Sequence, residues 1–157
     1  MAYTQSPHLT DEEIQSLLKQ AQVARFCSLN GDGTIHSVPV WYTYENKQFI
    51  VATPSASRKA RNVRRNENVT ILIDDSGTRG AWPKGVIVYG KAKLDAADLQ
   101  IDEFVHLCEK YFPREKAESY AKGLLSLSRW VKITVKPERI ASFDYAKDQE
   151  YKTAVGE

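Results

Sequence analysis

The sequence feature that most constrains this chain is Asn30-Gly31-Asp32-Gly33, set between two apolar runs. Asn and Gly accept positive φ at low cost, so such a quartet folds the chain back as a hairpin. The run before it, Val23–Leu29, and the run after it, Thr34–Tyr44, therefore pair antiparallel. Val38, Val40, Tyr42 and Tyr44 share one face of the returning strand. Glu45-Asn46-Lys47 supplies a second tight turn, and Gln48–Thr53 is a third strand. Consecutive strands joined by turns exclude a parallel doubly wound layer, which needs a crossover helix between strands.

The third strand runs into the most basic stretch of the chain, Thr53-Pro54-Ser55-Ala56-Ser57-Arg58-Lys59-Ala60-Arg61-Asn62-Val63-Arg64-Arg65-Asn66. It reads as a short helix with Ser55 or Ser57 as N-cap and with Ala60 and Val63 turned inward. At about 100° per residue, Lys59 and Asn62 lie close together, while Arg58, Arg61 and Arg65 point further toward solvent. Cations in a first turn oppose the helix dipole. Free N–H groups, Ser hydroxyls and cations at that same end form an anion site, so a bound phosphate removes the conflict. The plain alternative is a solvated basic face. Without Arg58, Lys59, Arg61, Arg64 and Arg65 the chain has 17 basic residues against 20 acidic ones. Basicity is thus local, which suits a small anion better than a polynucleotide surface.

The remaining segments complete the plan. Residues 1–8 read as a flexible N-terminus, residues 9–143 as a single domain, and residues 144–157 as an exposed tail. Thr10-Asp11-Glu12-Glu13 is a capping box opening an amphipathic helix that ends near Gln22. Val69–Asp74 and Gly85–Leu94 are strands flanking a Gly/Pro loop that carries Trp82, a residue suited equally to lid, interface or ring-stacking duty. Asp95 to about Gly123 reads as helical with an interruption at Pro113. Arg129–Val135 alternates, with Trp130, Lys132 and Thr134 opposite Val131, Ile133 and Val135; Pro137 ends it, and Arg139–Phe143 is a last short strand. Six or so antiparallel strands with flanking helices imply a small closed or split barrel. Cys27 and Cys108 match no metal or redox spacing, and His8, His36 and His106 are isolated, so no metal site is expected. No apolar run approaches the ~20 residues of a membrane span, and no secretory leader is evident, so the default setting is cytoplasmic.

Pro39 inside His36-Ser37-Val38-Pro39-Val40-Trp41 marks an edge or a bulge, because proline donates nothing to a ladder. The proline-interrupted aromatic strand, a strand ending in Thr53, and Ser57-Arg58-Lys59 opening a helix together resemble the pyridoxamine 5′-phosphate oxidase-like family of flavin-binding split barrels, which includes F420-dependent reductases. The resemblance spans about Ala24 to Phe143. Its specific pieces are Val38–Trp41, Lys59–Asn66, Arg129–Ile133 and Pro137–Ile140. It implies a mainly β, six-stranded antiparallel split barrel, homodimeric, with cofactor sites at the subunit interface. In that family Val38, Pro39, Val40 and Trp41 run beside the flavin ring, and Thr53, Ser57, Arg58, Lys59 and Asn62 hold the phosphate of FMN. By position, Trp82 and Trp130 stand as candidates for contribution by the partner subunit.

The chain lacks the Arg-x-x-Leu-Leu-Lys-type strand and the C-terminal substrate-binding arginine and histidine of the B6-forming enzymes. Asn66-Glu67-Asn68 stands where the F420-using branch shows Asp-Pro-Arg. The function expected is an FMN-dependent oxidoreductase acting on a small molecule. An F420-dependent reductase, a non-catalytic flavin storage protein and a nucleic-acid binder are the alternatives. The last lacks an interleaved aromatic platform. No catalytic residue is named, because hydride chemistry resides on the cofactor.

Overall fold

A computed structural model of the chain describes residues 7–74 and 80–156. Helix α1 (Asp11–Gln20) is followed by strands β1 (Ala24–Leu29), β2 (Ile35–Val40), β3 (Thr43–Glu45) and β4 (Gln48–Pro54). Helix α2 (Arg58–Arg65) leads to β5 (Asn68–Asp74) and β6 (Lys84–Leu94). Helices α3 (Ile101–Glu109) and α4 (Arg114–Leu127) precede the long β7 (Trp130–Asp144), and α5 (Gln149–Ala154) follows a single 3-10 turn. All strand pairs are antiparallel, in the order β2-β1-β5-β6-β7-β4-β3. The sheet curls into a split barrel.

Two features change the strand plan expected from sequence, one splitting a run and the other joining two, and the described sheet has seven strands. The first is a break in the Thr34–Tyr44 run at Trp41-Tyr42, so that β2 and β3 lie on opposite edges of the sheet. That two-residue step carries the chain across the barrel's open seam. Tyr42 thereby leaves the ladder, and the Tyr111 hydroxyl takes over its backbone, accepting from the Tyr42 N–H at 2.8 Å and donating to its C=O at 3.0 Å. The Tyr42 hydroxyl in turn donates to the Leu18 carbonyl (2.7 Å), capping an orphan group at the end of α1. Burial pushes the Tyr111 phenol up to about 12, so it stays a donor at neutral pH. Tyr111→Phe keeps the ring on which Trp41 stacks at 4.4 Å and orphans the Tyr42 backbone. A loss of about 1–2 kcal/mol in denaturant unfolding is the expected result.

The second feature is that Pro137 does not end a strand. β7 runs through it with a bulge, Tyr89 pairing with Arg139 and Gly90 with Pro137. β4 pairs only with Trp130–Val135, so beyond that point one side of β7 has no ladder to feed and tolerates a residue without N–H. Gly90 is required there, since a Cβ would lie 2.5 Å from the Lys136 carbonyl oxygen.

The remaining segments follow the sequence reading in part. The Thr10/Glu13 capping box is formed, and α1 ends two residues earlier than expected. Residues 95–100 are not helical, because Asp95 and Leu99 donate their N–H groups to the Lys132 and Trp130 carbonyls of β7. At the N-terminus, residues 1–6 of the segment expected to be flexible lie outside the described residues. His8 bonds the Ser142 carbonyl, and Pro7 accepts from Asp144. Residues expected as an exposed tail form the 3-10 turn and α5.

The barrel interior is filled by alternate residues of each strand. Phe26, Phe49, Ile71, Ile73, Val86, Val88, Ile133 and Val135 are buried, with Leu18 of α1 among them. Outside the barrel, α3 and α4 pack Phe104, Val105, Cys108, Ala117 and Ala121 against Ala52 and Trp130. Trp130 therefore faces away from Val131, Ile133 and Val135, as the alternation requires. Among the described residues no helix is long and apolar enough to cross a membrane.

Candidate functional site

Helix α2 begins where β4 ends, so the last residues of the strand and the first turn of the helix are held together. Ser57 is the N-cap, and its Oγ accepts from the Ala60 N–H at 3.2 Å. The Thr53 hydroxyl, 1% exposed, lies 2.9 Å from the same oxygen. With the Thr53 hydroxyl donating to it, the Ser57 oxygen accepts twice, and its own proton is free for a further acceptor. The N–H groups of Arg58 and Lys59 lie in the first turn, which has no carbonyl one turn back to bond. One hydroxyl and two backbone donors thus converge beside two cations.

The electrostatics of this end are uncompensated. Lys59 is half-buried, and desolvation pushes its amine below the usual lysine range. Neither Lys59 nor Arg58 pairs with a carboxylate among the described residues. His36 of β2 also lies below its ordinary value, first through burial and then through the charges of Lys59 and Arg58. Those two charge contributions put His36 within electrostatic reach of the helix start. The sequence treats His36 as isolated, and only the curl of the sheet reveals the neighbourhood.

β2 pairs with β1 on one side only, and Pro39 opposite Arg25 sits on that edge strand, as its chemistry demands. Val38 and Val40 face the barrel core, while Pro39 is exposed. Trp41 packs outward against the α3–α4 hairpin, stacked on Tyr111 and edge-on to Phe112 at 5.4 Å.

The other expected site residues have the following partners within the chain. Asn62 is 1% exposed, and its amide nitrogen donates to Ser28 Oγ and Asn30 Oδ1, both at 3.0 Å. Its oxygen accepts from Arg65 at 2.8 Å. Both of its donors are spent inside the chain, tying α2 to the β1–β2 turn. Trp130 uses its indole N–H on the Leu124 carbonyl (3.1 Å) and its ring on Phe104 (4.9 Å). Trp82 lies at the start of β6, edge-on to Tyr151 at 5.6 Å, whereas α2 returns beside the far end of that strand through the Ala92 N–H and the Glu67 carbonyl. Thr53, Ser57, Arg58 and Lys59 thus share the junction of β4 and α2, Val38 packs on the barrel core, and Trp82 lies elsewhere in the same chain. No cluster of metal-ligating residues occurs among the described residues.

The β1–β2 turn and the outer face of α2 enclose an open cleft of about 570 Å³, which shares Arg58 with that seat. Asn30, Gly31, Asp32 and four arginines (Arg58, Arg61, Arg64 and Arg65) line it. Sequence reasoning marks the turn and the helix separately; it contains no sign that they face each other.

A family model described as pyridoxamine 5′-phosphate oxidase matches residues 10–140. No curated protein matches the chain. Among solved structures, the fold is shared with a haem storage protein from Vibrio cholerae at 15% identity (TM-score 0.67, covering 83% of this chain and 92% of that one). It is shared with an F420 reductase at 19% identity (TM-score 0.63, 83% and 98%). It is shared also with an FAD-binding protein from Mesorhizobium loti at 22% identity (TM-score 0.61, 87% and 93%). At these identities the likeness establishes the split-barrel fold.

Proposed function

The chain belongs to the pyridoxamine 5′-phosphate oxidase family, and from that premise we propose that it is an FMN-binding oxidoreductase acting on a small molecule. The observation that carries this reading is the helix start, where the spare Ser57 proton, two free N–H groups and a desolvated, unpaired Lys59 meet. A phosphate monoester satisfies all of them at once. FMN supplies the hydride chemistry when bound. The chain supplies the phosphate seat and the unpaired backbone edge of β2, at exposed Pro39, for the polar rim of a planar ring. None of the described residues around the seat forms a nucleophile–base pair, which fits a protein whose redox chemistry lies on a cofactor.

Two further readings use the same seat. An F420-dependent reductase is favoured by the arginines on the outer face of α2 and by the reductase of the same fold. Storage without turnover is favoured by the haem storage relative. We place the site at an interface with a second copy, because β2 leaves its edge unpaired and Ile35 on it is 73% exposed. With both cysteines free, a reduced cytoplasmic setting suits this assignment.

Absorbance and fluorescence titration of the apo-protein with FMN and F420, side by side, tests the reading. Stoichiometric FMN binding followed by oxidation of reduced nicotinamide supports the enzyme. FMN bound without turnover leaves the storage protein. Binding of neither cofactor removes the proposal. A monomeric mass with cofactor bound would refute the interface.

A further inference from the structure

We propose that the arginine-lined cleft between α2 and the β1–β2 turn is a second anion site, built for an oligoanion with phosphate or carboxylate groups in series. This deepens the proposed function, on which it rests through Arg58, the residue common to the cleft and the phosphate seat.

The pairing of arginines across the molecule carries the inference. Arg25 is paired with Asp74, Arg114 with Glu109 and Glu118, and Arg129 with Asp98. Arg139 lies 3.9 Å over the Tyr89 ring. Among the described residues, only the four arginines of the cleft have neither an acid nor an aromatic partner. The one carboxylate lining the cleft, Asp32, is committed to its own turn. It accepts from the Thr34 N–H at 3.0 Å and the Thr34 hydroxyl at 2.6 Å, and those bonds, ahead of Arg58, hold it below the usual carboxylate range. Four guanidinium groups thus face one carboxylate.

The cleft is also fixed in shape. Arg65 is held by Asn62, which is itself anchored to Ser28 and Asn30. Gly31 gives Arg65 room, since a Cβ there would lie 2.1 Å from a guanidinium nitrogen. Arg64 is fastened to the Ser55 carbonyl at 2.9 Å. Each spends one of five donors and keeps the others for a ligand. Arg58–Arg61, Arg61–Arg64 and Arg61–Arg65 stand three or four positions apart, where like charges destabilise a helix. A solvated face gains nothing from that repulsion, whereas an oligoanion spanning the arginines cancels it. A single phosphate fills only a small part of the cleft. The natural occupant is a chain of anionic groups, either the tail of a cofactor whose first phosphate sits at Ser57–Lys59 or a separate molecule.

Calorimetry of the apo-protein and of the FMN complex with tripolyphosphate and with inorganic phosphate, at about 0.15 M salt, tests the site. Tripolyphosphate is expected to bind the apo-protein at least about tenfold more tightly than phosphate. The double variant Arg61→Gln/Arg64→Gln, which leaves Ser57, Arg58 and Lys59 intact, is expected to lose that margin while keeping its FMN affinity. Tripolyphosphate binding that persists in the FMN complex identifies a separate molecule. Exclusion by FMN, with FAD or F420 bound more tightly than FMN, identifies a cofactor tail. Exclusion by FMN with neither bound more tightly puts tripolyphosphate on the FMN phosphate seat and overturns the proposal. So does equal binding by variant and wild type, or binding of a single-stranded oligonucleotide alone. Loss of FMN binding with tripolyphosphate binding retained would refute the FMN reading and leave the cleft standing.

Discussion

Arg58→Ala combined with Lys59→Ala weakens FMN binding by more than about tenfold and leaves the apo-protein at least as stable as the parent. The first half follows from the strength of a charge-assisted hydrogen bond to phosphate, about 1.5–3 kcal/mol, a factor of ten or more for Lys59 alone. Arg58 is exposed and screened and contributes less. The second half follows from Lys59 having no ion-pair partner among the described residues of the apo-protein. Its cation is desolvated and opposes the dipole of α2, so the folded state holds that proton less firmly than the unfolded chain does. Such a group costs stability below its lowered pKa, and the cost fades as pH rises from there to the ordinary lysine value. Removing the amine removes the cost at neutral pH. Weaker binding together with an unchanged or higher midpoint of thermal unfolding is therefore expected. A midpoint lowered in parallel with affinity would show that Lys59 supports the fold.

A pH signature accompanies the same residue. The phosphate favours the charged amine and raises its pKa on binding. Affinity is then full below the apo value and declines as pH rises through it. Lys59→Arg keeps its charge throughout, so the alkaline decline disappears in that variant. His36 moves the same way, because neutralising Lys59 and Arg58 removes two causes of its depression. An NMR titration of the apo and FMN-bound forms should find the His36 pKa higher in the complex.

The parts of this molecule legible in sequence are those set by neighbours along the chain. The Thr10 capping box, the β1–β2 turn and the alternation of Trp130–Val135 all follow from local chemistry and appear as expected. The misread segments are those in which a distant group replaces the local one. Residues 95–100 have helical composition, yet the β7 carbonyls claim two of their N–H groups. The β2–β3 break is tolerated because Tyr111, 69 residues away, satisfies the backbone of Tyr42. Pro137 reads locally as a strand end, yet β4 stops pairing two residues earlier and leaves that side of β7 with no N–H to satisfy. The site divides in the same way. Ser57, Arg58 and Lys59 are contiguous in the chain, whereas the placement of His36 and the cleft facing Arg61 and Arg64 depend on how the sheet curls.

Asn62 provides the sharpest test of that division. Family resemblance assigns it to the cofactor, and the geometry spends it on the fold. Asn62→Ala should lower unfolding stability by about 2–4 kcal/mol, because it removes three hydrogen bonds and leaves the Ser28 hydroxyl, 3% exposed, without its donor. Arg65 loses its anchor as well, so the oligoanion cleft loosens while the Ser57–Lys59 seat, formed by the strand end and the N-cap, retains its own bonds. Denaturant unfolding should therefore show a large drop, and FMN affinity at a temperature where the variant is folded should stay within about threefold of the parent, less than one hydrogen bond to a charged group would contribute. A loss of FMN affinity of tenfold or more, with stability little changed, would place the amide on the cofactor instead. In that case the contacts to Ser28 and Asn30 would be those of the empty site alone, exchanged for the ligand on binding.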